Sequence, residues 1–155
     1  MNTPDDVKAS VREKYASIAR SNDQGDGSCC CGSADDELEV TMIGDDYDGV
    51  EGYVADADMQ LGCGVPTDLA EIQTGDALLD LGSGAGLDAF TARHITDPDG
   101  RVVGVDMTPE MVKKARANAI SLGFDNVTFV EEDIEDLPLE DTHFDAVINN
   151  CGLNL

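Results

Sequence analysis

The chain has no tryptophan, two histidines, and nine basic residues set against 33 acidic ones. Lysine occurs only at positions 8, 14, 113 and 114, and Phe and Tyr together number seven. Each shortage excludes something. Neutralising nucleic-acid phosphates needs clustered Lys and Arg, so nucleic-acid binding is disfavoured. No apolar run approaches the roughly 18 residues a membrane span requires, so no membrane partner is expected. Residues Met1 to Lys8 are polar and lack the apolar region of a secretory signal, which leaves the cytoplasm as the expected location. Neither His94 nor His143 stands at ligand spacing from a cysteine, and no C-x-x-C zinc pattern is present. His94 reads as an ordinary helical residue.

What is abundant is acid. Aspartate supplies 23 of the 33 acids, and the net charge is -24. A disordered acidic tail would concentrate this charge, but it is spread along the chain. A basic partner would need an acidic patch. The reading preferred here is a halophile's surface, on which solvated Asp keeps a protein soluble in concentrated salt. Five cysteines, Cys29, Cys30, Cys31, Cys63 and Cys151, form an odd set. That argues against a disulfide framework and points to thiol chemistry.

The length of 155 residues suits one domain with a short extension. Val7, Val11, Tyr15 and Ile18 recur at helical spacing, so 4–20 reads as a helix with Pro4 in its first turn. Residues 21–34 are a loop by composition, and 35–60 read as short helices. Pro66 opens a short helix reaching Ile72. An alternating pattern then begins: strand 77–82, helix 86–96, strand 101–106, helix 109–122, strand 127–130 and a last strand within 144–150. The 109–122 helix has Thr108 as N-cap, Pro109 at its first position and Gly123 past its end. Met111, Val112, Ala115, Ala119 and Leu122 form its core face. Such alternation means an α/β fold with a parallel sheet. The division expected is 1–72 as a helical extension with a Cys-rich loop, and 73–155 as the α/β domain.

Leu78-Leu79-Asp80-Leu81-Gly82-Ser83-Gly84-Ala85-Gly86 is a buried strand turning sharply into a helix. Glycines at alternate positions open the backbone to a ligand, and the helix start offers free N–H groups. The dinucleotide fingerprint needs its third glycine three residues after the second. Here it comes after two, and no P-loop pattern exists. The D-x-G-x-G-x-G spacing instead resembles motif I of class I S-adenosylmethionine methyltransferases. Asp106 ends the next strand 20 residues after Gly86, placed to accept from both ribose hydroxyls, and Met107 packs on the adenine face. The resemblance further implies an acid facing the adenine amino group, for which Asp133, beside Ile134, is the choice. Asp80, Gly82, Ser83, Gly84, Gly86, Asp106, Met107, Asp133 and Ile134 are thus the expected cofactor residues.

The cysteine contexts sharpen the family. Gln60-Leu61-Gly62-Cys63-Gly64-Val65-Pro66, Gly104-Val105-Asp106-Met107-Thr108-Pro109-Glu110-Met111 and Asn149-Asn150-Cys151-Gly152-Leu153-Asn154-Leu155 resemble prokaryotic, haloarchaeal-like arsenite S-adenosylmethionine methyltransferases over nearly the whole chain. So does Ser28-Cys29-Cys30-Cys31-Gly32-Ser33. Val65, Asn149 and Gly152 depart from that family's usual Asn, Ser and Val.

The resemblance implies a seven-stranded sheet ordered 3-2-1-4-5-7-6, of which this sequence holds four strands. It implies S-adenosylmethionine as cofactor, and arsenite, as a thiol adduct, as substrate. Cys63 and Cys151 are the implied arsenic ligands and catalytic residues, joined by one of Cys29, Cys30 and Cys31. Activity is expected to be incomplete in this stretch, and the apolar fourth strand, as an edge, is expected to seek a second copy. Two other functions stay open: a non-catalytic thiol-based metalloid-binding module, and a methyltransferase for another small molecule.

Overall fold

Leu78, Leu79 and Asp80 are buried on both faces of a sheet, and around them the α/β unit is built. The computed structural model describes residues 3–22, 50–59, 64–137 and 143–150. Strand β1 spans Ala77–Leu81, β2 Arg101–Asp106, β3 Val127–Glu131 and β4 Ala146–Asn149. All pair in parallel, in the order β3-β2-β1-β4. This matches the first four positions of the expected order. Helix α1 covers Pro4–Asn22, α2 Leu87–Thr96 and α3 Pro109–Leu122.

One face of the sheet carries the main core. Leu78, Val102, Phe129 and Ile148 meet Phe90 of α2, Met111 and Val112 of α3, and Ala19 of α1. Phe90 packs edge-on to Phe129 at 5.6 Å between ring centroids. Fully burying side chains of this size contributes about 1.5–3 kcal/mol each. Leu79, Val103 and Val105 point the other way, toward Leu81, Val130, Leu137 and Phe144.

Several expectations are corrected. The helix expected from Pro66 to Ile72 is a single 3-10 turn, Pro66–Asp68, and Glu71 follows at φ +49°. That backbone cannot continue a right-handed helix. Ser21 and Asn22 belong to α1 rather than to a loop, and the Ser21 hydroxyl donates to Ser17 O at 2.8 Å. Val7 is exposed, and the buried residues of α1 are Ala16 and Ala19. Small side chains let this helix lie close to α3. Leu122 is also exposed, because α3 turns it outward before Gly123 closes the helix at φ +68°. Thr108 does hold the N-cap position, but its hydroxyl makes no capping bond. Most of 21–60 lies outside the described residues; within it, Ala55–Ala57 is one 3-10 turn. Among the described residues no helix is long and apolar enough to cross a membrane.

Candidate functional site

The end of β1 and the end of β2 are stitched together. Gly82 and Ser83 both donate to the carbonyl of Val105, at 2.8 and 2.9 Å. Gly86 closes the turn by donating to Ser83 O at 2.9 Å, and it forms the N-cap of α2. Gly82, Gly84 and Gly86 have φ of +75°, +52° and +100°, values that favour glycine.

The last two glycines serve different ends. A Cβ at Gly86 would stand 2.8 Å from both Phe129 and Phe90, inside the core. A Cβ at Gly84 would meet nothing within 4 Å. Gly86 is therefore needed by the packing, and Gly84 faces free space.

Asp106 holds the turn open from β2. Its Oδ2 accepts the Gly84 N–H at 3.0 Å and its Oδ1 accepts the Thr108 N–H at 2.8 Å. A carboxylate has about four lone-pair sites, so each oxygen retains one for a ligand hydroxyl. The Asp106 carbonyl in turn accepts the Glu132 N–H at 3.2 Å, which draws the segment after β3 to the same edge. Asp133, Ile134 and Met107 are half-buried there.

Beneath the turn sit two buried polar groups without a partner among the described residues, Asp80 Oδ2 and Ser83 Oγ. Burial pushes the Asp80 carboxyl well above its ordinary range, and the nearby charges of Asp88 and Asp106 add to this. An accumulation of acids around an open glycine turn suits a ligand that carries positive charge and hydroxyls. S-adenosylmethionine, with a sulfonium, an ammonium and a ribose diol, fits that donor set.

The structure therefore brings together Asp80, Gly82, Ser83, Gly84, Gly86 and Asp106, and sets Met107, Asp133 and Ile134 at the same sheet edge. All five cysteines lie outside the described residues; of their chain neighbours, Gly64 and Asn150 are described. The Asn150 carboxamide donates to Gly64 O and to Asp88 Oδ2, both at 3.0 Å. Asn149 donates to Leu81 O at 2.6 Å, so the end of β4 is tied to the end of β1. Asp88 and Asn150 escaped the sequence reading, since nothing local marks a bond across 62 positions. Gly104 escaped it too, although a glycine inside a strand signals close approach. A Cβ there would stand 2.5 Å from the Phe129 ring and 2.8 Å from Ser83 Oγ. A cleft of about 520 Å³ lined by Glu51, Thr67, Asp68 and His94 lies by the last turn of α2, at the other end of that helix from the glycine turn.

A family model described as a methyltransferase domain matches residues 72–155. An arsenite methyltransferase of Halobacterium salinarum is 42% identical, over 98% of this chain and 41% of that protein. One from Aquipseudomonas alcaligenes is 39% identical, over 61% of this chain and 29% of that protein. The crystal structure of an arsenic (III) S-adenosylmethionine methyltransferase from Chlamydomonas reinhardtii superposes with a TM-score of 0.54 at 42% identity. It covers 61% of this chain and 34% of its own. The chain thus spans less than half the length of these relatives.

Proposed function

Because the chain belongs to the methyltransferase-domain family, we propose that it serves S-adenosylmethionine-dependent methylation of trivalent arsenic held by the thiolates of Cys63 and Cys151. One of Cys29, Cys30 and Cys31 is the third ligand in this reading. The observation that carries it is the Asn150 clamp. Gly64 follows Cys63, Asn150 precedes Cys151, and the carboxamide of one holds the carbonyl of the other at 3.0 Å. The same carboxamide is bonded to Asp88, in the first turn of the helix that the glycine turn opens.

The chemistry follows from the residues. Thiolates suit a soft centre such as trivalent arsenic. Bound S-adenosylmethionine supplies an electrophilic methyl on a sulfonium, and the lone pair of thiol-held arsenic is the nucleophile. No side chain has to remove a proton from that nucleophile, which agrees with a site made of acids and amides. The chain's work is placement. Asp106 takes the ribose, Gly82, Ser83, Gly84 and Gly86 leave room for the amino-acid end, and Met107 and Ile134 flank the adenine. Asp133 accepts from the adenine amino group. Asp80 Oδ2, the oxygen left without a partner, lies beneath the turn that takes the cofactor's amino-acid end.

Further parts of the reading are a cytoplasmic, salt-adapted protein, with 1–72 as an extension on the cofactor domain. A second copy meeting the apolar β4, where Val147 is 57% exposed, completes the reading.

The test is titration of the chain with arsenite, with Cys63→Ser and Cys151→Ser alongside, followed by an assay for methylarsenite with S-adenosylmethionine and glutathione. Each substitution is expected to weaken arsenite binding at least tenfold, since it removes one thiolate from the arsenic. Tight arsenite binding with no affinity for S-adenosylmethionine would make the chain a sequestering module instead. Unchanged arsenite affinity in both variants would remove arsenic from the site.

A further inference from the structure

In a chain so poor in lysine, Lys8 sits at an informative place. Its Nζ lies 2.7 Å from Asp133 Oδ2 and 2.5 Å from Glu135 Oε2, although it is 125 residues away from Asp133 in sequence. The other oxygen, Asp133 Oδ1, accepts the Glu135 N–H at 3.0 Å. The surrounding turn is otherwise acidic, with Glu131, Glu132 and Asp136 close in sequence, and Arg12 of α1 adds a weaker positive influence. Without α1 these like charges would push apart, and the Asp133 carboxylate would be held by the Glu135 N–H alone.

The rest of α1 continues along the same edge. Tyr15 is half-buried, and the charge of Asp106 adds to burial in holding its phenol protonated. Arg20 donates to Glu110 Oε1 at 3.1 Å, in the first turn of α3. One helix thus reaches Asp133 beyond β3 and the start of α3, with Tyr15 close enough to feel the charge of Asp106.

We propose that Lys8 is a positioning residue of the cofactor site, orienting an ionised Asp133 so that its remaining lone pairs accept the adenine amino group. This rests on the assignment of Asp133 to the adenine edge made above. Lys8 takes one lone-pair site on Oδ2 and Glu135 takes one on Oδ1, which leaves one on each oxygen for the cofactor. The Lys8 hydrogen bond, first, and that of Glu135 after it hold the Asp133 carboxyl below its ordinary range, so it remains acceptor-only. Asp133 and Glu135 hold Lys8 up to about 12, so it stays cationic. The pair is half-exposed and contributes little to folding, so its removal leaves the domain intact.

The experiment is calorimetric titration of the full chain, at one salt concentration, with S-adenosylhomocysteine and with S-inosylhomocysteine. The second ligand carries an oxygen in place of the adenine amino group. The wild type is expected to prefer the adenine ligand by about tenfold, the scale of one hydrogen bond to a charged acceptor. Lys8→Gln is expected to cut that preference to below about threefold, mainly by weakening the adenine ligand, because an unoriented acceptor loses most of that bond. Lys8→Arg is expected to restore it.

A purely structural lysine would weaken both ligands alike and leave their ratio intact, and that result overturns the proposal. So does a ratio that collapses in Asp133→Asn but not in Lys8→Gln. Glu135→Gln, which removes the competing partner of Lys8, should keep the preference; losing it would show that the turn, not the lysine, sets Asp133. A wild type with no preference would take Asp133 off the adenine and the proposal with it. Arsenite binding through Cys63 and Cys151 would stand or fall separately by its own titration.

Discussion

Alanine at Gly84 and alanine at Gly86 should produce opposite phenotypes, although the two positions belong to one turn. Both residues have positive φ, +52° and +100°. An alanine in that region costs roughly 1–2 kcal/mol. At Gly84 this is the whole cost, because a Cβ there meets nothing within 4 Å. At Gly86 the Cβ falls 2.8 Å from Phe129 and Phe90, and both rings are buried in the core. Neither ring can swing away, so an overpacking cost of typically 1–3 kcal/mol is added. Gly86→Ala should therefore lose about 2–5 kcal/mol out of a total stability on the order of 5–15 kcal/mol. At about 2–4 °C per kcal/mol for a chain of this size, it should melt several degrees below Gly84→Ala. The ligand affinities should run the other way. Gly84→Ala projects a methyl into the free space beside Asp106 and is expected to weaken S-adenosylhomocysteine binding at least tenfold, by displacing the ligand from its contacts. The assays are thermal unfolding by circular dichroism and calorimetric titration on the same samples. Equal losses of melting temperature in the two variants would refute the packing argument. Full ligand affinity in Gly84→Ala would refute the placement of the cofactor over this turn.

Two further outcomes are expected. Asp80 is held above its ordinary value of 3.8, so the folded chain keeps a proton that the unfolded chain releases. Its contribution to stability therefore falls as pH rises from about 3.8 towards the raised folded value. Asp80→Asn should melt above the wild type by a margin that widens with pH across that window, and a constant margin would show that Asp80 titrates normally. With a net charge of -24 the chain should also melt higher as KCl is added, beyond the roughly 3 Å screening length reached at 1 M. A flat or falling melting point would count against the salt-adapted reading.

The parts of the fold that could be read in the sequence are those fixed by local chemistry. The apolar run to Asp80, the alternate glycines, and Thr108, Pro109 and Gly123 around α3 each constrain their own backbone. β2 and α3 accordingly fall on the residues expected, Arg101–Asp106 and Pro109–Leu122. The place of Asp106 beside the glycine turn was legible for the same reason, since it ends the strand that pairs with β1, and its Oδ2 accepts the Gly84 N–H. What could not be read depends on partners distant in sequence. The buried face of α1 follows Ala16 and Ala19 because it docks on α3, which the larger Val7 and Val11 concealed. The bonds of Asn150 to Asp88, and of Lys8 to Asp133, join residues 62 and 125 positions apart. Thr108 holds the expected N-cap position, and its own N–H is taken by Asp106 at 2.8 Å.

The place of β4 in the sheet has a kinetic consequence. β1 pairs with β2 through Ala77 and Arg101, but with β4 through Leu78 and Ala146, nearly three times as far along the chain. Closing the longer loop costs about 1 kcal/mol more in chain entropy. The β1-α2-β2-α3-β3 stretch is thus the expected folding nucleus, and β4 joins it after the rate-limiting barrier. Shortening Ile148 to valine should then speed unfolding and leave the refolding rate unchanged, whereas Val102→Ala should slow refolding. A slowed refolding of the Ile148 variant would place β4 in the nucleus. On that order, the glycine turn and Asp106 would be in place before Asn150, the residue preceding Cys151, is drawn into register, so the proposed thiol side of the site would be assembled on a finished template.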